Sequence, residues 1–462
     1  MKKLILLAAS LFSLAAIAEP IGVSGARHLL ERSGFGAPPA LITEYSRLER
    51  NKAVDRLLNP TGTGLQRPPP DIPYERPGHL KTLSDEERKV VQREHFRQGT
   101  EMRAWWAGEM LRAATAQDAL RERMTLFWHN HFVSSQQKVK SGTLMLRQNE
   151  ILRRNALGNF STMLHAVSKD PAMLIYLDGA SNRKANPNEN FAREVMELFT
   201  LGEGHYTEQD IKEAARAFTG WSFAPERGEF IWRPAIHDFS EKLVLGRRGN
   251  FDGDAVLDIL LAQPATAQFV ATKLWLEFIS PKPDPAEIRK IAAALRGAGY
   301  EIRPALRAIF LSEAFWSPLN RGSLTKAPVD LVIGTLRTLA VNVPDAMPLA
   351  LSLRHLGQDL FAPPNVRGWP GGEAWINSTT LLARKQFIER LLRATEMENR
   401  NRVVDKAMQM HFDSTAWLAN YRDFSAVQVA LLAIPPVHAV DETATGLPLL
   451  RSLLLDPVFQ LK

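Results

Sequence analysis

The 462-residue sequence carries 57 Lys and Arg against 50 Asp and Glu, a formal charge of +7, with 45% apolar residues and no cysteine. Length and apolar share suffice for one large domain or two smaller ones, while the lack of cysteine excludes a disulfide framework, a lipid-bearing Cys and a thiol nucleophile. The cationic excess is mild and spread along the chain, so a solvated basic surface is expected and no nucleic-acid partner.

Residues 1–18 read as a secretory signal peptide, with Lys2 and Lys3 ahead of an apolar run and an Ala16-Ile17-Ala18 cleavage site before Glu19. The run is too short to cross a bilayer, so no membrane span is expected once it is removed. Loss of Lys2 and Lys3 takes the charge from +7 to +5. A periplasmic or secreted soluble protein is expected.

Residues 19–59 predict two short helices around the Gly34-Phe35-Gly36 turn, and residues 60–80 a Pro-rich linker without helical or strand pattern. Residues 81–395 form the main helical domain. Ser84 with Glu87 three places on is a capping box for a long helix running towards Ala114, and a second helix follows from about Gln117 to Phe132. Alternation in Phe230–Leu245 predicts one β-hairpin. A Gly/Pro/Trp loop covers Gly357 to Asn377, Ser378 caps a helix to Leu392, and residues 396–462 form a helical tail packed on the main domain. The expected class is mainly α: a large multi-helix domain with one small β-hairpin insertion.

Candidate chemistry centres on NENFAREVMELFTLGEGHYTEQDIKEAARAFTGW, Asn188 to Trp221. At about 100° per residue from Phe191, the residues Ala192, Val195, Met196, Leu198, Phe199 and Leu201 fill one apolar arc. Glu194 falls inside that arc, and Asn190 and Glu197 line its edge. A carboxylate on a buried face is unfavourable unless paired, hydrogen-bonded or metal-bound. Glu194 and Glu197 are therefore an acid–base or ligand pair, or a buried ion pair with an Arg such as Arg153, Arg154 or Arg367. His205 sits in a two-glycine turn, free to enter a cleft or to cap the preceding helix. Thr207 and Asp210 read as a capping box. His237 and Asp238 are a ligand or acid–base pair, or a turn initiated by Asp.

Leu120, Met124, Phe127 and His131 share one helix face, while His129 lies with Asp118, Glu122 and Thr125. Two histidines at i, i+2 are about 200° apart on a helix, so His129 and His131 bind one ion only if the helix ends at Trp128. Far downstream, Asn365-Val366-Arg367-Gly368-Trp369-Pro370-Gly371-Gly372, with Trp375 and Asn377, offers indole faces with amide and guanidinium donors. Such groups suit sugar rings or polyanions, or pin a long loop to the core. No Walker loop, dinucleotide fingerprint, HExxH or GxSxG elbow is present.

FWHNHF, the Asn-rich loop leading into the Asn188–Trp221 stretch, His237-Asp238 with Lys242 and Leu245-Gly246, PPNVRGWPGG and WINS together resemble the bacterial "domain of unknown function 1800" family. RHLLERSGFG and LLLDPVFQ look like that family's two ends, and Val195 stands where a leucine is usual. The resemblance implies an exported, mostly helical protein, often encoded beside a second exported family that resembles alkaline phosphatases and sulfatases, which makes such a protein a candidate partner.

The lead expectation is a hydrolase-like enzyme acting on an envelope or extracellular polymer such as a glycan. Glu194, Glu197, His205, His237 and Asp238 would be catalytic; Asn190, Asn365, Arg367, Trp369 and Trp375 would bind substrate; His129 and His131 would be metal ligands. If a divalent metal takes part, mixed His and carboxylate ligands favour Zn, Mn or Fe; a metal-free acid–base route is the alternative. The rival reading is a non-catalytic helical scaffold that binds a co-exported partner.

Overall fold

The computed structural model describes residues 19–59, 62–76, 83–399 and 410–462, so residues 1–18, which read as a signal peptide from sequence, lie outside the described residues. The chain is mainly α, with two small antiparallel two-stranded sheets. Its centre is the helix Pro328–Thr338, all eleven residues of which are buried. Such a helix, buried on every side, is a core helix, and its Asp330 and Arg337 are paired or hydrogen-bonded inside the protein. Around it pack the long helix Asp85–Arg112, the helix Met347–His355 and the N-terminal segment at Gly36. Gly36 has φ +70°, and a side chain there would meet the Gly334 carbonyl at 2.3 Å.

The first segment forms three helices, Gly22–Ser33, Pro39–Tyr45 and Arg50–Leu58, one more than the pattern predicts. Pro38 and Pro39 restart the chain after the Gly turn, and Pro39 takes the first-turn position where its missing N–H is harmless. The capping boxes at Ser84/Glu87 and Thr207/Asp210 both form.

The Pro-rich segment is a pinned strap. The Asp118 carboxylate accepts from the Thr63 and Gly64 amides, Glu109 accepts from the Gln66 and Arg67 amides, and Thr143 Oγ1 donates to the Ile72 carbonyl at 2.8 Å. Carboxylates on neighbouring helices thus satisfy backbone groups that have no ladder of their own. The first described helix also meets Lys462. Buried Arg32 donates to the carbonyls of Phe278, Ile279, Asn320 and Lys462, and Lys462 Nζ donates to Asp330 Oδ2 at 2.7 Å. One hydrophobic core runs from Ala26 to Phe459.

The stretch expected to be a single hairpin is shared between two. Trp221–Ala224 (β1) pairs with Glu229–Trp232 (β2), and Lys242–Val244 (β3) with Arg247–Gly249 (β4). Pro234 explains the break: it supplies no ladder N–H and starts a 3-10 turn instead. Among the described residues no single helix is long and apolar enough to cross a membrane. The pair Gly253–Ala262 and Pro264–Phe278 reaches that hydropathy jointly but bends by 73°.

Candidate functional site

The Asn188–Trp221 stretch changes helix type in its middle. Glu189–Glu194 is α-helical and Val195–Thr200 is π-helical, with Leu201 N donating to Met196 O and Thr200 Oγ1 donating to Val195 O, both at 2.7 Å and both five residues back. Such turns are rare and recur at functional sites. Gly202 at φ +78° then turns the chain away, leaving the carbonyls of the last turn facing two neighbouring helices.

Two basic side chains take those carbonyls. His131, at the end of the helix Ala116–His131, meets Phe199 O with Nε2 at 3.0 Å. A carbonyl only accepts, so Nε2 carries the proton and Nδ1 keeps a lone pair. That Nδ1 is buried without a partner. Burial, and then the charge of Lys273, hold the imidazole well below its ordinary value. Lys273, from the helix Pro264–Phe278, reaches Leu198 O with Nζ at 3.4 Å and lies 4.8 Å from the Phe269 ring centre. It has no carboxylate partner among the described residues, and burial brings its ammonium down to about 8.

The Trp loop closes the other side. Asn365 Oδ1 accepts the Arg367 amide at 2.9 Å, and Asn130 Oδ1 accepts the Trp369 amide at 2.7 Å. Gly368, at φ +86°, lets this happen: a Cβ there would stand 2.2 Å from Asn130 Oδ1. Arg367 Nη2 then bridges Glu197 Oε1 and Glu203 Oε1, each at 3.0 Å, while Tyr206 Oη donates to Glu197 Oε2 at 2.7 Å. The result is a cleft of two cavities, about 320 and 350 Å³, that share Asn130, His131, Lys273 and Arg367. Glu197 and Glu203 line one; Trp369, Trp375, Asp330 and Gln358 line the other.

The residues singled out from sequence divide accordingly. Glu197, Arg367, His131, Trp369 and Trp375 line the cleft. Glu194 lines neither cavity: it is half-buried, has no hydrogen-bond or ion-pair partner among the described residues, and its carboxyl is raised by burial and then by Glu197. Of the two i, i+3 carboxylates, only Glu197 lines the cleft, although Glu194 feels the charges of both Glu197 and Arg367. The helix of His129 continues through His131, so the two rings point apart and do not form a joint metal pair. His129 is enclosed by Trp106, Phe361 and Trp369, with both ring nitrogens buried and unpartnered. Burial lowers it to about 3. Among the described residues no three His, Asp or Glu side chains gather as a metal-binding group.

The others are placed elsewhere. His205 is exposed in its turn. His237 is 2% exposed and donates Nδ1–H to Thr219 O at 2.8 Å, fastening the segment after β2 to the end of the helix Glu208–Ala217. Asp238 accepts from Arg216 Nε at 2.7 Å; burial opposes its ionisation, but Arg216 and the Ser240 amide hold it far below the carboxylate range. Both are structural ties. Asn190 Nδ2 donates to Leu177 O at 3.1 Å and fixes the Asn-rich loop. Asn365 is a turn former. Trp369 and Trp375 are 5% and 6% exposed, so neither offers a protruding platform for a sugar ring.

Sequence reasoning missed Asn130, Lys273, Glu203 and Tyr206. Lys273 left a signal, being one of two charged residues in an otherwise apolar or neutral helix, PATAQFVATKLWLEF.

The sequence profile described as "Protein of unknown function (DUF1800)" matches residues 28–461. The chain belongs to this family. No curated protein and no solved structure matches it. The match takes in the His131 helix, the Lys273 helix and the Trp loop, and ends one residue before Lys462.

Proposed function

We propose that this DUF1800 protein is an exported enzyme that acts on an envelope or extracellular glycan, with Lys273 as its proton-transferring group. The observation that carries the reading is Lys273 itself. It is an amine with no carboxylate partner among the described residues, brought down to about 8 by burial, on the wall shared by both halves of a polar cleft. Perturbed amines of this kind concentrate where proton transfer or nucleophilic chemistry is done. At neutral pH a minority of Lys273 is the free base, able to take a proton from an attacking water or hydroxyl. The His131 Nδ1 lone pair provides a second acceptor in the same wall, and Arg367, held by Glu197 and Glu203, provides a cation for a polar or acidic substrate group. Asn130 and Gln358 supply amide groups for hydroxyls. The signal-like residues 1–18 support the periplasmic or secreted setting.

Incubating the purified protein with envelope and extracellular polysaccharides and following new chain ends tests this. Wild type is expected to release products and Lys273→Met to release none while remaining folded. Equal release by both would contradict the proposal.

A second reading, a helical scaffold for a co-exported phosphatase- or sulfatase-like partner, draws support from His237, Asp238 and Asn190, all engaged in fastening elements together. It expects Lys273→Met to keep every cellular function.

A further inference from the structure

A larger cavity of about 580 Å³ lies apart from the cleft and shares no residue with it. The strap residues Leu65, Pro69, Pro70 and Ile72 roof it. Trp105 comes from the long helix, Leu146 and Leu157 add apolar wall, and five arginines line it. Three of the five are engaged. Arg147 donates to the carbonyls of Arg227 and Gly228, Arg153 is held by Glu122 at 2.8 and 2.9 Å, and Arg154 pairs with Glu150.

Arg121 and Arg303 are not. Neither side chain has a hydrogen bond or ion pair among the described residues, and Arg303 Nε is buried without a partner. Burial, and then the charge of Arg121, lower the Arg303 guanidinium from its ordinary value. Glu301 acts on it more weakly and already accepts from Asn159 Nδ2 at 3.1 Å. The exposed carboxylate of Asp71 is at the strap. Glu150, the other carboxylate of the lining, is taken by Arg154. Two like charges facing one cavity with no carboxylate directly paired to either are unfavourable in the empty protein, and a doubly charged oxyanion between them reduces that penalty.

We propose that this cavity binds an organic phosphate, its phosphate held by Arg121 and Arg303 and its apolar or ring portion against the strap prolines, Leu146 and Trp105. A phosphate monoester carries about −1.5 to −2 charge at pH 7, which matches two free guanidinia where a carboxylate matches one. The volume suits a ligand of small-molecule size rather than a polymer.

Titration calorimetry of the full mature chain with phenyl phosphate, benzoate and phenol tests the assignment. Phenyl phosphate is expected to bind at least about tenfold more tightly than benzoate, a gap of about 1.4 kcal/mol, with phenol not binding. Arg303→Gln and Arg121→Gln are each expected to weaken phenyl phosphate by about tenfold or more, and to leave the melting temperature of the ligand-free protein unchanged or raised. Benzoate binding as tightly as phenyl phosphate, binding that survives both substitutions, or a melting temperature that falls by several degrees in both variants would overturn the proposal.

Discussion

The Lys273 ammonium stands 3.4 Å from the Leu198 carbonyl, the one hydrogen-bond acceptor it has among the described residues. A carbonyl at a helix end offers a partial negative charge, too little to offset the desolvation of a full cation. Lys273 therefore destabilises the fold in its charged form. Its folded value of about 8 lies below the ordinary 10.5, so this penalty is fully present below about pH 8 and fades as pH rises towards 10.5. Replacement by Met is expected to raise the unfolding free energy at pH 7 by about 1–3 kcal/mol, with the gain vanishing near pH 10.5, as measured by urea denaturation across pH.

His129 predicts a pH dependence of the same sign in a lower window. Its folded value of about 3 lies below the ordinary 6.5, so the unfolded chain takes up a proton that the folded chain refuses. Stability is lost as pH falls from about 6.5 towards 3, by about 1.4 kcal/mol per pH unit from this group. The difference in unfolding free energy between wild type and His129→Leu should grow with that slope; a difference independent of pH would refute the account of the aromatic enclosure.

Gly368→Ala should detach the Trp loop. The new methyl would meet Asn130 Oδ1 at 2.2 Å on a backbone at φ +86°. A destabilisation of about 2–3 kcal/mol is expected, with enhanced proteolysis within Gly357–Asn377. Arg367→Ala is the contrasting variant: its guanidinium is 64% exposed, so solvent screens its pair with Glu197 and the pair contributes little to stability. Stability should be nearly unchanged while glycan release falls.

Asp330→Asn tests the buried charge cluster that anchors Lys462. Asp330 is 5% exposed and neutralises both Arg123 and Lys462, and those cations hold its carboxyl far below the ordinary range although burial opposes this. Leaving two buried cations with a neutral amide should cost about 3–5 kcal/mol in thermal or urea unfolding.

The fold was largely legible because amphipathic periodicity and capping chemistry are local: Ser84/Glu87 and Thr207/Asp210 could be read directly. The strap was not. Its order comes from Asp118, Glu109 and Thr143, residues distant in sequence that reach over to unpaired backbone groups. The site was half legible. Arg367 was legible as one of three possible ion-pair partners for Glu194 and Glu197, and it does pair with Glu197; which of the three arginines would do so depends on the distant Trp loop and was not. A wheel drawn at a constant angle put Glu194 and Glu197 on one face and could not show the π turn that begins at Val195. Lys273 was overlooked because a lone lysine in an apolar helix reads as a surface residue until its neighbours are known.

The most direct measurement is the titration of Lys273 itself. Reductive ¹³C-methylation of the folded protein gives each lysine an NMR signal, and Lys273→Arg identifies the one in question. The account predicts a midpoint near 8. A midpoint at the ordinary lysine value of about 10.4 would contradict it, and with it the role of Lys273 in the cleft.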